Sequence, residues 1–165
     1  MGKKILLGIL VLVALFTITG CGKGEDVDFN KTKTITFHDL TVEIPEVFTI
    51  DNENSDNVMQ FYNYNDDEKY NSCMLDLSIS NYPKSDMKES IQEGFYDKID
   101  WSYSEKNING NKWFIGYREE SVKYNQTYYV INKNGKKYAL NYDDFGSGEK
   151  CAEALKIIEK SLNFK

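Results

Sequence analysis

The sequence predicts an α+β protein in which an antiparallel sheet is covered by helices. Short segments of alternating apolar and polar residues recur from residue 34 onwards. Two dipeptides, Asn109-Gly110 and Asn134-Gly135, each separate a pair of such segments, and Asn-Gly favours a tight hairpin turn because both central residues adopt positive φ. Two further segments repeat apolar residues at helical spacing. Hairpins with one helix in mid-chain and another at the end indicate a sheet covered by helices.

The first twenty residues are typical of a secretion signal. A cationic head, Lys3-Lys4, precedes the uncharged and mostly apolar run Ile5 to Ile18. This run is shorter than the roughly 20 residues that a membrane-spanning helix needs. It ends in Ile18-Thr19-Gly20-Cys21, which resembles the lipobox of bacterial lipoprotein precursors. The resemblance implies cleavage between Gly20 and Cys21 and lipidation of Cys21. The alternative is an ordinary secretory signal in which Cys21 has no role.

The chain therefore divides into three predicted parts. Residues 1–20 form the signal peptide, residues 21–33 the lipidated cysteine and a flexible tether, and residues 34–165 a single globular domain. Two or more acyl chains hold a protein stably on a membrane. We therefore expect membrane lipid as a partner through Cys21, and a lipid-anchored location on the extracytoplasmic face of the cell membrane.

The charge balance argues against nucleic-acid binding. The chain has 20 basic and 26 acidic residues, and removal of residues 1–20 takes away two lysines and leaves a net charge of −8. Phosphate contacts dominate affinity for nucleic acids, so an acidic domain without a stripe of Lys or Arg is a poor candidate for that partner. An acidic domain also avoids adsorption to anionic lipid and wall polymers, which suits a tethered module.

The strands are predicted from alternation and from turn residues. His38-Asp39 forms a turn between the first two strands, and Pro45 ends the second because it has no N–H for the ladder. The cleanest alternation runs from Cys73 to Ser80, with Cys73, Leu75, Leu77 and Ile79 on one face. The predicted strands are, in order, 34–37, 40–44, 47–50, 58–64, 73–80, 102–108, 111–120, 126–132 and 136–142.

Two helices complete the prediction. After Pro83, Ser85 or Asp86 caps the first helix, and Glu89 completes a capping box from Asp86. The apolar face of this helix consists of Met87, Ile91, Phe95 and Ile99. Ser147 caps the final helix, whose buried stripe consists of Cys151, Ala154, Leu155, Ile158 and Leu162.

The first Asn-Gly hairpin carries a candidate binding surface. A two-residue turn places Tyr103 opposite Gly116 and Trp101 opposite Arg118, and in the second hairpin Tyr129 faces Leu140. Trp101, Tyr103 and Phe114 then share one face, and Trp113, Ile115 and Tyr117 share the other. One set contributes to the core, and the other is a candidate platform for a sugar or a peptide. The candidate binding residues are Trp101, Tyr103, Phe114 and Arg118; the alternative is a sheet covered on both faces, which buries both sets.

Cys73 and Cys151 are candidates for a disulfide. Cys73 begins the inward face of its strand, and Cys151 lies on the inward stripe of the last helix. An extracellular location permits their oxidation. The alternative is two buried thiols that pack as small apolar side chains.

Three short segments make the domain similar to the PsbP-like family, which includes an extrinsic subunit of photosystem II, a nuclear Ran-binding protein and many small bacterial lipoproteins. The segments are Phe37 to Pro45, Ile108 to Trp113, and the end of the closing helix, Ser161-Leu162-Asn163-Phe164. The likeness covers residues 34–164. It implies an α/β/α sandwich and a binding or assembly role without shared catalytic residues.

The candidates for chemistry in this sequence are weak. His38 is the single histidine, which does not by itself supply a nucleophile relay or a zinc site. The run 51–57 alternates carboxylate and amide oxygens but lacks the glycine and the terminal glutamate of a calcium loop. We interpret it, like the cluster 66–68, as a solvated loop. Asp143, Asp144 and Glu149 are an alternative source of an acid pair for glycoside hydrolysis, although we expect them to stabilise a turn and the start of the last helix.

We therefore expect a lipid-anchored extracytoplasmic binding or assembly module with no catalytic activity, no metal and no cofactor. Its expected partners are membrane lipid and an envelope protein or glycan. The alternatives are an envelope hydrolase that uses surface carboxylates, and a small surface adhesin.

Overall fold

The computed structural model describes residues 28–50, 55–63, 73–93, 100–121, 124–146 and 149–165, apart from the side chains of residues 120 and 121. The predicted signal peptide, Cys21, Phe95, Ile99, the cap Ser147 and most of the two acidic runs lie outside the described residues. Within them, no helix has the length and apolarity needed to cross a membrane.

The described residues form strands and helices in the following order. They are β1 (Thr32–Phe37), β2 (Leu40–Pro45), β3 (Thr49–Ile50), β4 (Val58–Asn63), β5 (Cys73–Ser80), α1 (Met87–Gln92), β6 (Ser102–Ile108), β7 (Asn111–Ser121), β8 (Tyr124–Lys133), β9 (Lys136–Asp144), α2 (Glu149–Ser161) and β10 (Asn163–Phe164).

The strands form two antiparallel sheets. One has three strands in the order β1-β2-β10, and the other has seven in the order β3-β4-β5-β9-β8-β7-β6. The two Asn-Gly turns have the positive φ angles that the sequence predicts: 49° and 79° at Asn109 and Gly110, and 52° and 74° at Asn134 and Gly135. The predicted registers are confirmed, because Tyr103 pairs with Gly116 and Tyr129 with Leu140.

The main core lies between one face of the seven-stranded sheet and the layer formed by α2 and the three-stranded sheet. Leu75, Leu77 and Leu140 enter it from the large sheet, and Ala154 and Ile158 enter it from α2. We call this side of the large sheet the core face. A disulfide joins Cys73 on β5 to Cys151 on α2, with their Cα atoms 5.7 Å apart. This bond ties the start of α2 to the start of β5 in the large sheet.

The fold class is confirmed at the level of an antiparallel α+β protein, but sheet dominates it. The prediction of a helix-covered sandwich was therefore too simple. On the core face, α2 shares the covering layer with three strands, since β2 packs against α2 and Val42 and Ile44 are buried in the same core. On the opposite face, the described helix is the short α1.

Local details differ where side chains satisfy backbone groups. Phe29 is buried in the core, so the ordered domain begins before the predicted boundary at residue 34. Phe48 N donates to Pro45 O at 3.1 Å, and this turn shortens β3. Asp86 caps α1 as expected, but Glu89 binds Lys84 instead of closing a capping box. The closing helix ends at Ser161, and the following Asn163–Phe164 is strand β10, paired with β2.

Candidate functional site

The candidate site lies on the face of the seven-stranded sheet opposite the core face, which we call the second face. Here α1 packs against β7 and β8. Gly116 on β7 permits this close packing, because a Cβ there would lie 2.9 Å from Ile91 Cδ1 and 3.0 Å from Trp101 Cε3. Ile91, Trp101, Val130 and Ala139 form a second, smaller buried cluster at this position.

The structure brings all four predicted binding residues to the second face but exposes them unequally. Trp101 is 8% exposed and belongs to the buried cluster beneath α1. It therefore packs under the site and is not accessible to a partner. The guanidinium of Arg118 lies 5.6 Å from the ring centroids of both Trp101 and Tyr124. Arg118 is therefore held among aromatic rings of the protein itself.

Tyr103 and Phe114 form the exposed part of the predicted surface. Their half-buried rings stack with centroids 5.5 Å apart and an interplanar angle of 23°. Lys88 Nζ lies 5.2 Å from the Tyr103 ring centroid, and Gln92 Nε2 donates to the Tyr103 hydroxyl at 3.2 Å. Both contacts come from α1, so the helix fixes the orientation of the aromatic pair.

A surface groove of about 550 Å³ opens beside this pair. Its lining residues are Ser85, Asp86, Met87, Lys88, Glu105 and Phe114. The start of α1 therefore forms one wall and the β6–β7 hairpin forms the other. The groove contains an aromatic ring, a flexible thioether and charges of both signs.

The second aromatic set of the hairpin lies on the core face, as one of the two predicted alternatives requires. Trp113 is fully buried and Ile115 is 8% exposed. Tyr117, further along the same strand, is 40% exposed, and its hydroxyl donates to Asn125 Oδ1 at 3.3 Å. The sheet is thus not covered equally on both faces, and Tyr103 and Phe114 stay accessible.

A polar cluster occupies the second face beside the aromatic part. Asp143 on β9 is 2% exposed, and its carboxylate accepts hydrogen bonds from the Tyr124 hydroxyl and from Asn141 Nδ2, both at 2.8 Å. Burial raises the pKa of Asp143, whereas these hydrogen bonds and the charge of Arg118 oppose the rise. Burial and the hydrogen bond to Asp143 raise the pKa of Tyr124 to about 12.

A second carboxyl, Asp76 on β5, lies in the same cluster directly opposite Asn141. Burial is the main reason that the pKa of Asp76 is raised, and the negative charge of Asp143 raises it further. Hydrogen bonds from Asn141 and Gln60 act in the opposite direction. The centre of the sheet therefore holds two carboxyl groups in an environment that disfavours their ionisation.

The predicted acid group of Asp143, Asp144 and Glu149 does not converge. Asp143 and Asp144 are adjacent in one strand, so their side chains point to opposite faces of the sheet. Asp144 accepts a hydrogen bond from Gly146 N at 2.9 Å, and Glu149 is exposed at the start of α2.

His38, with φ of 53° in its turn, contacts Asp56 O through Nε2 at 2.6 Å. Among the described residues, no three His, Cys, Asp or Glu side chains are grouped to hold a metal ion.

The sequence alone does not reveal the polar cluster, because its members come from distant parts of the chain. Asp76 occupies the face of β5 that alternates with the predicted apolar face. Asn141 and Asp143 are spaced by two in β9, and Gln126 on β8 pairs with Asp143. The available signal for such a cluster is a strand in which polar residues occupy every second position and the positions between them are apolar. It becomes informative only once β5, β9 and β8 are known to be neighbours.

The solved structures that are similar to this chain include the following two. The solution structure of cyanobacterial PsbP (CyanoP) from Synechocystis matches with a TM-score of 0.54 and 11% identity, over 88% of this chain and 99% of that one. A crystal structure from Bacteroides thetaiotaomicron matches with a TM-score of 0.52 and 16% identity, over 84% of this chain. The match spans 49% of the Bacteroides chain, or about half its length. At such identities the likeness shows the fold, which is PsbP-like. No protein-family model and no curated protein matches the chain.

Proposed function

We propose that this protein is a lipid-anchored extracytoplasmic binding or assembly module whose partner contacts the groove between α1 and the β6–β7 hairpin. The observation that carries the proposal is the stacked pair of Tyr103 and Phe114, held half-exposed at that groove. Aromatic side chains offer large contact areas at a low cost in conformational entropy, and they are enriched where proteins bind partners.

The lining of the groove favours a polypeptide as the partner. Met87 and Phe114 supply apolar contact, and methionine adapts its shape to different surfaces. Asp86, Lys88 and Glu105 place both signs of charge at the rim, and rim charges of this kind guide the orientation of a partner more than they add affinity. A glycan, which also stacks on aromatic rings, is the alternative partner.

The proposed attachment rests on the segment that ends at Cys21. The predicted cationic head, apolar run and lipobox follow one another in the order expected of a lipoprotein precursor. A net charge of −8 after removal of residues 1–20 keeps the domain away from anionic surfaces. A tether between lipid and domain leaves the groove free to meet a partner at the membrane surface.

The attachment is tested by substituting the proposed lipid site. Cys21→Ser should abolish labelling by a fatty-acid analogue and release the protein from the membrane fraction. Cys73→Ala is a control for loss of a cysteine as such, because that cysteine lies in the folded domain. Full labelling and membrane retention of Cys21→Ser would contradict the proposed anchor.

The groove is tested by quantitative co-purification from solubilised membranes. Phe114→Ala and Tyr103→Ala should each deplete the same specific set of envelope proteins. Tyr62→Ala is the matched control, since Tyr62 is an aromatic residue 39% exposed on β4, near the opposite edge of the large sheet. Depletion of wall glycan alone would favour the glycan alternative, and identical partner sets in all variants would contradict a role for the groove.

An envelope hydrolase is the second candidate, because Asp76 and Asp143 share one face and both have raised pKa values. However, Asp143 is almost completely buried, and its oxygen atoms are hydrogen-bonded to Tyr124 and Asn141. These contacts favour a structural role for the pair. Turnover of an envelope polymer that is lost in both Asp76→Asn and Asp143→Asn would instead support the hydrolase.

A further inference from the structure

Two buried oxygen atoms on neighbouring strands lack a hydrogen-bond donor. Asp76 on β5 and Asn141 on β9 are direct cross-strand partners. Asp76 Oδ1 and Asn141 Oδ1 are each buried, and neither accepts a hydrogen bond from any group in the described part of the chain. Direct cross-strand partners have Cβ atoms about 4.5–5.5 Å apart, which brings two such short side chains within reach of each other. Buried acceptors without donors are uncommon in folded proteins and are costly.

The charged groups around Asp76 do not balance a second negative charge. Asp143 lies two residues along β9 from Asn141, and it is stabilised as a carboxylate by Tyr124, Asn141 and the charge of Arg118. Tyr128 faces the same cluster from β8, and the charge of Asp76 acts on it. Glu93, at the end of α1, also acts on Tyr128 and is itself paired with Lys84 and Lys137. Gln60 and Asn141 are neutral, and their hydrogen bonds to Asp76 favour its ionised form. The positive charge of Arg118 acts on Asp143, whereas burial and the charge of Asp143 outweigh the hydrogen bonds at Asp76 and disfavour a second carboxylate there.

We propose that Asp76 keeps its proton in the folded domain and donates it in a hydrogen bond to Asn141 Oδ1, which makes the polar cluster a pH-sensitive joint between β5 and β9. One proton supplies the missing donor between two acceptors and removes the repulsion between Asp76 and Asp143. Burial and the charge of Asp143, which raise the pKa of Asp76, act in the same direction.

The joint weakens when Asp76 ionises. Ionisation removes the donor and places a second carboxylate beside Asp143 on the central strands of the sheet. Because ionisation weakens the joint, the folded state binds the Asp76 proton more tightly than the unfolded chain does. In the unfolded chain an aspartate ionises near pH 3.9. The unfolding free energy therefore falls as pH rises from about 3.9 through the folded pKa of Asp76. This device is independent of the proposed groove, since none of the residues that line the groove belongs to the polar cluster.

The test is a carboxyl-carbon NMR titration of the full-length chain in detergent, with Asp76→Asn and Asp143→Asn used to assign the two signals. Asp76 should titrate above the ordinary aspartate midpoint, and Asp143→Asn should lower that midpoint. Asp76→Asn replaces the protonated carboxyl by an amide that also donates. It should therefore fold and should lose the corresponding pH dependence of the melting temperature.

Three results would overturn the proposal. The first is an Asp76 midpoint at or below about 3.9, the ordinary value. The second is an unchanged pH dependence of melting in Asp76→Asn. The third is a rise in melting temperature on adding calcium or magnesium to the parent chain but not to Asp76→Asn, which would assign the two oxygen atoms to a cation instead of a proton.

Discussion

Asn109 connects the β6–β7 turn to the end of α2, and its replacement gives a sharp test of the packing between them. Its side-chain Nδ2 donates to Lys160 O and to Leu162 O, both at 2.9 Å. These carbonyls belong to the end of α2 and the residue after it, where the helix has no N–H donors of its own for them. The turn thus helps to end the helix at the point from which β10 starts.

The second Asn-Gly turn offers a matched control. Asn134 has φ of 52°, close to the 49° of Asn109, but among the described residues its side chain makes no hydrogen bond. Glycine tolerates positive φ at both positions and changes the entropy of the unfolded chain equally. The difference between Asn109→Gly and Asn134→Gly therefore isolates the two hydrogen bonds.

We expect Asn109→Gly to cost about 1–2 kcal/mol more than Asn134→Gly, since each net hydrogen bond contributes about 0.5–1.5 kcal/mol and water partly replaces these two. This corresponds to a fall of about 2–8 °C in melting temperature for a domain of this size. Asn109→Asp, which keeps the turn preference but presents an acceptor to two carbonyls, should cost more. The measurement is urea unfolding followed by circular dichroism. Equal stability of the two glycine variants, within about 0.3 kcal/mol, would show that the two hydrogen bonds of Asn109 do not stabilise the fold.

Three further predictions concern packing, the disulfide and pH. Gly116→Ala should destabilise the domain by about 1–3 kcal/mol through overpacking beneath α1. Ile91→Val, which removes the atom 2.9 Å from the added Cβ, should partly restore the stability. Strictly additive changes in unfolding free energy in this double-mutant cycle would contradict the contact. Replacing both Cys73 and Cys151 by alanine should lower the unfolding free energy by about 4.5 kcal/mol, on the chain-entropy model for their separation of 78 residues. A decrease below about 1 kcal/mol in urea titrations under oxidising conditions would show that the bond does not constrain the unfolded chain. Tyr124 has its pKa raised to about 12, so its contribution to stability is complete below the unfolded value near 10 and is lost as pH rises through the folded value. Tyr124→Phe should flatten the fall in unfolding free energy above about pH 10, and an unchanged fall would contradict the hydrogen bond to Asp143.

Local patterns predicted those parts of the fold that are determined within a few residues. The Asn-Gly turns set hairpin registers, because a two-residue loop leaves one pairing for the flanking strands. The alternation Cys73 to Ser80 identified β5 within its observed bounds. The apolar stripe of the last helix is also borne out, with Cys151, Ala154 and Ile158 buried.

Features that depend on distant contacts were not predicted. Strand β10 has two residues, too few for a periodic signal, and it forms because Phe164 packs against Trp113 and Tyr138. Trp101 and Phe114 were placed on one face correctly, but their different exposure depends on where α1 lies. The candidate groove forms between α1 and the β6–β7 hairpin. The sequence predicted the aromatic face of the hairpin but not the position of α1 beside it.

The polar cluster shows the same limit. Asp76 and Asn141 are 65 positions apart in the chain, and β9 lies between β5 and β8 only in the assembled sheet. The sequence placed a polar residue on the outer face of β5 but gave no indication that its neighbours would also be carboxyl and amide groups.

Site-specific photocrosslinking in intact cells measures whether a partner contacts the groove beside Tyr103 and Phe114. A photoreactive phenylalanine analogue at position 114 should give a discrete adduct with a polypeptide, and Tyr103→Ala in the same chain should weaken it. The analogue at position 62, 39% exposed on β4, is the control and should give no such adduct. Adducts of equal yield at both positions, or none at position 114 in chains that remain membrane-attached, would show that no partner binds specifically at the groove.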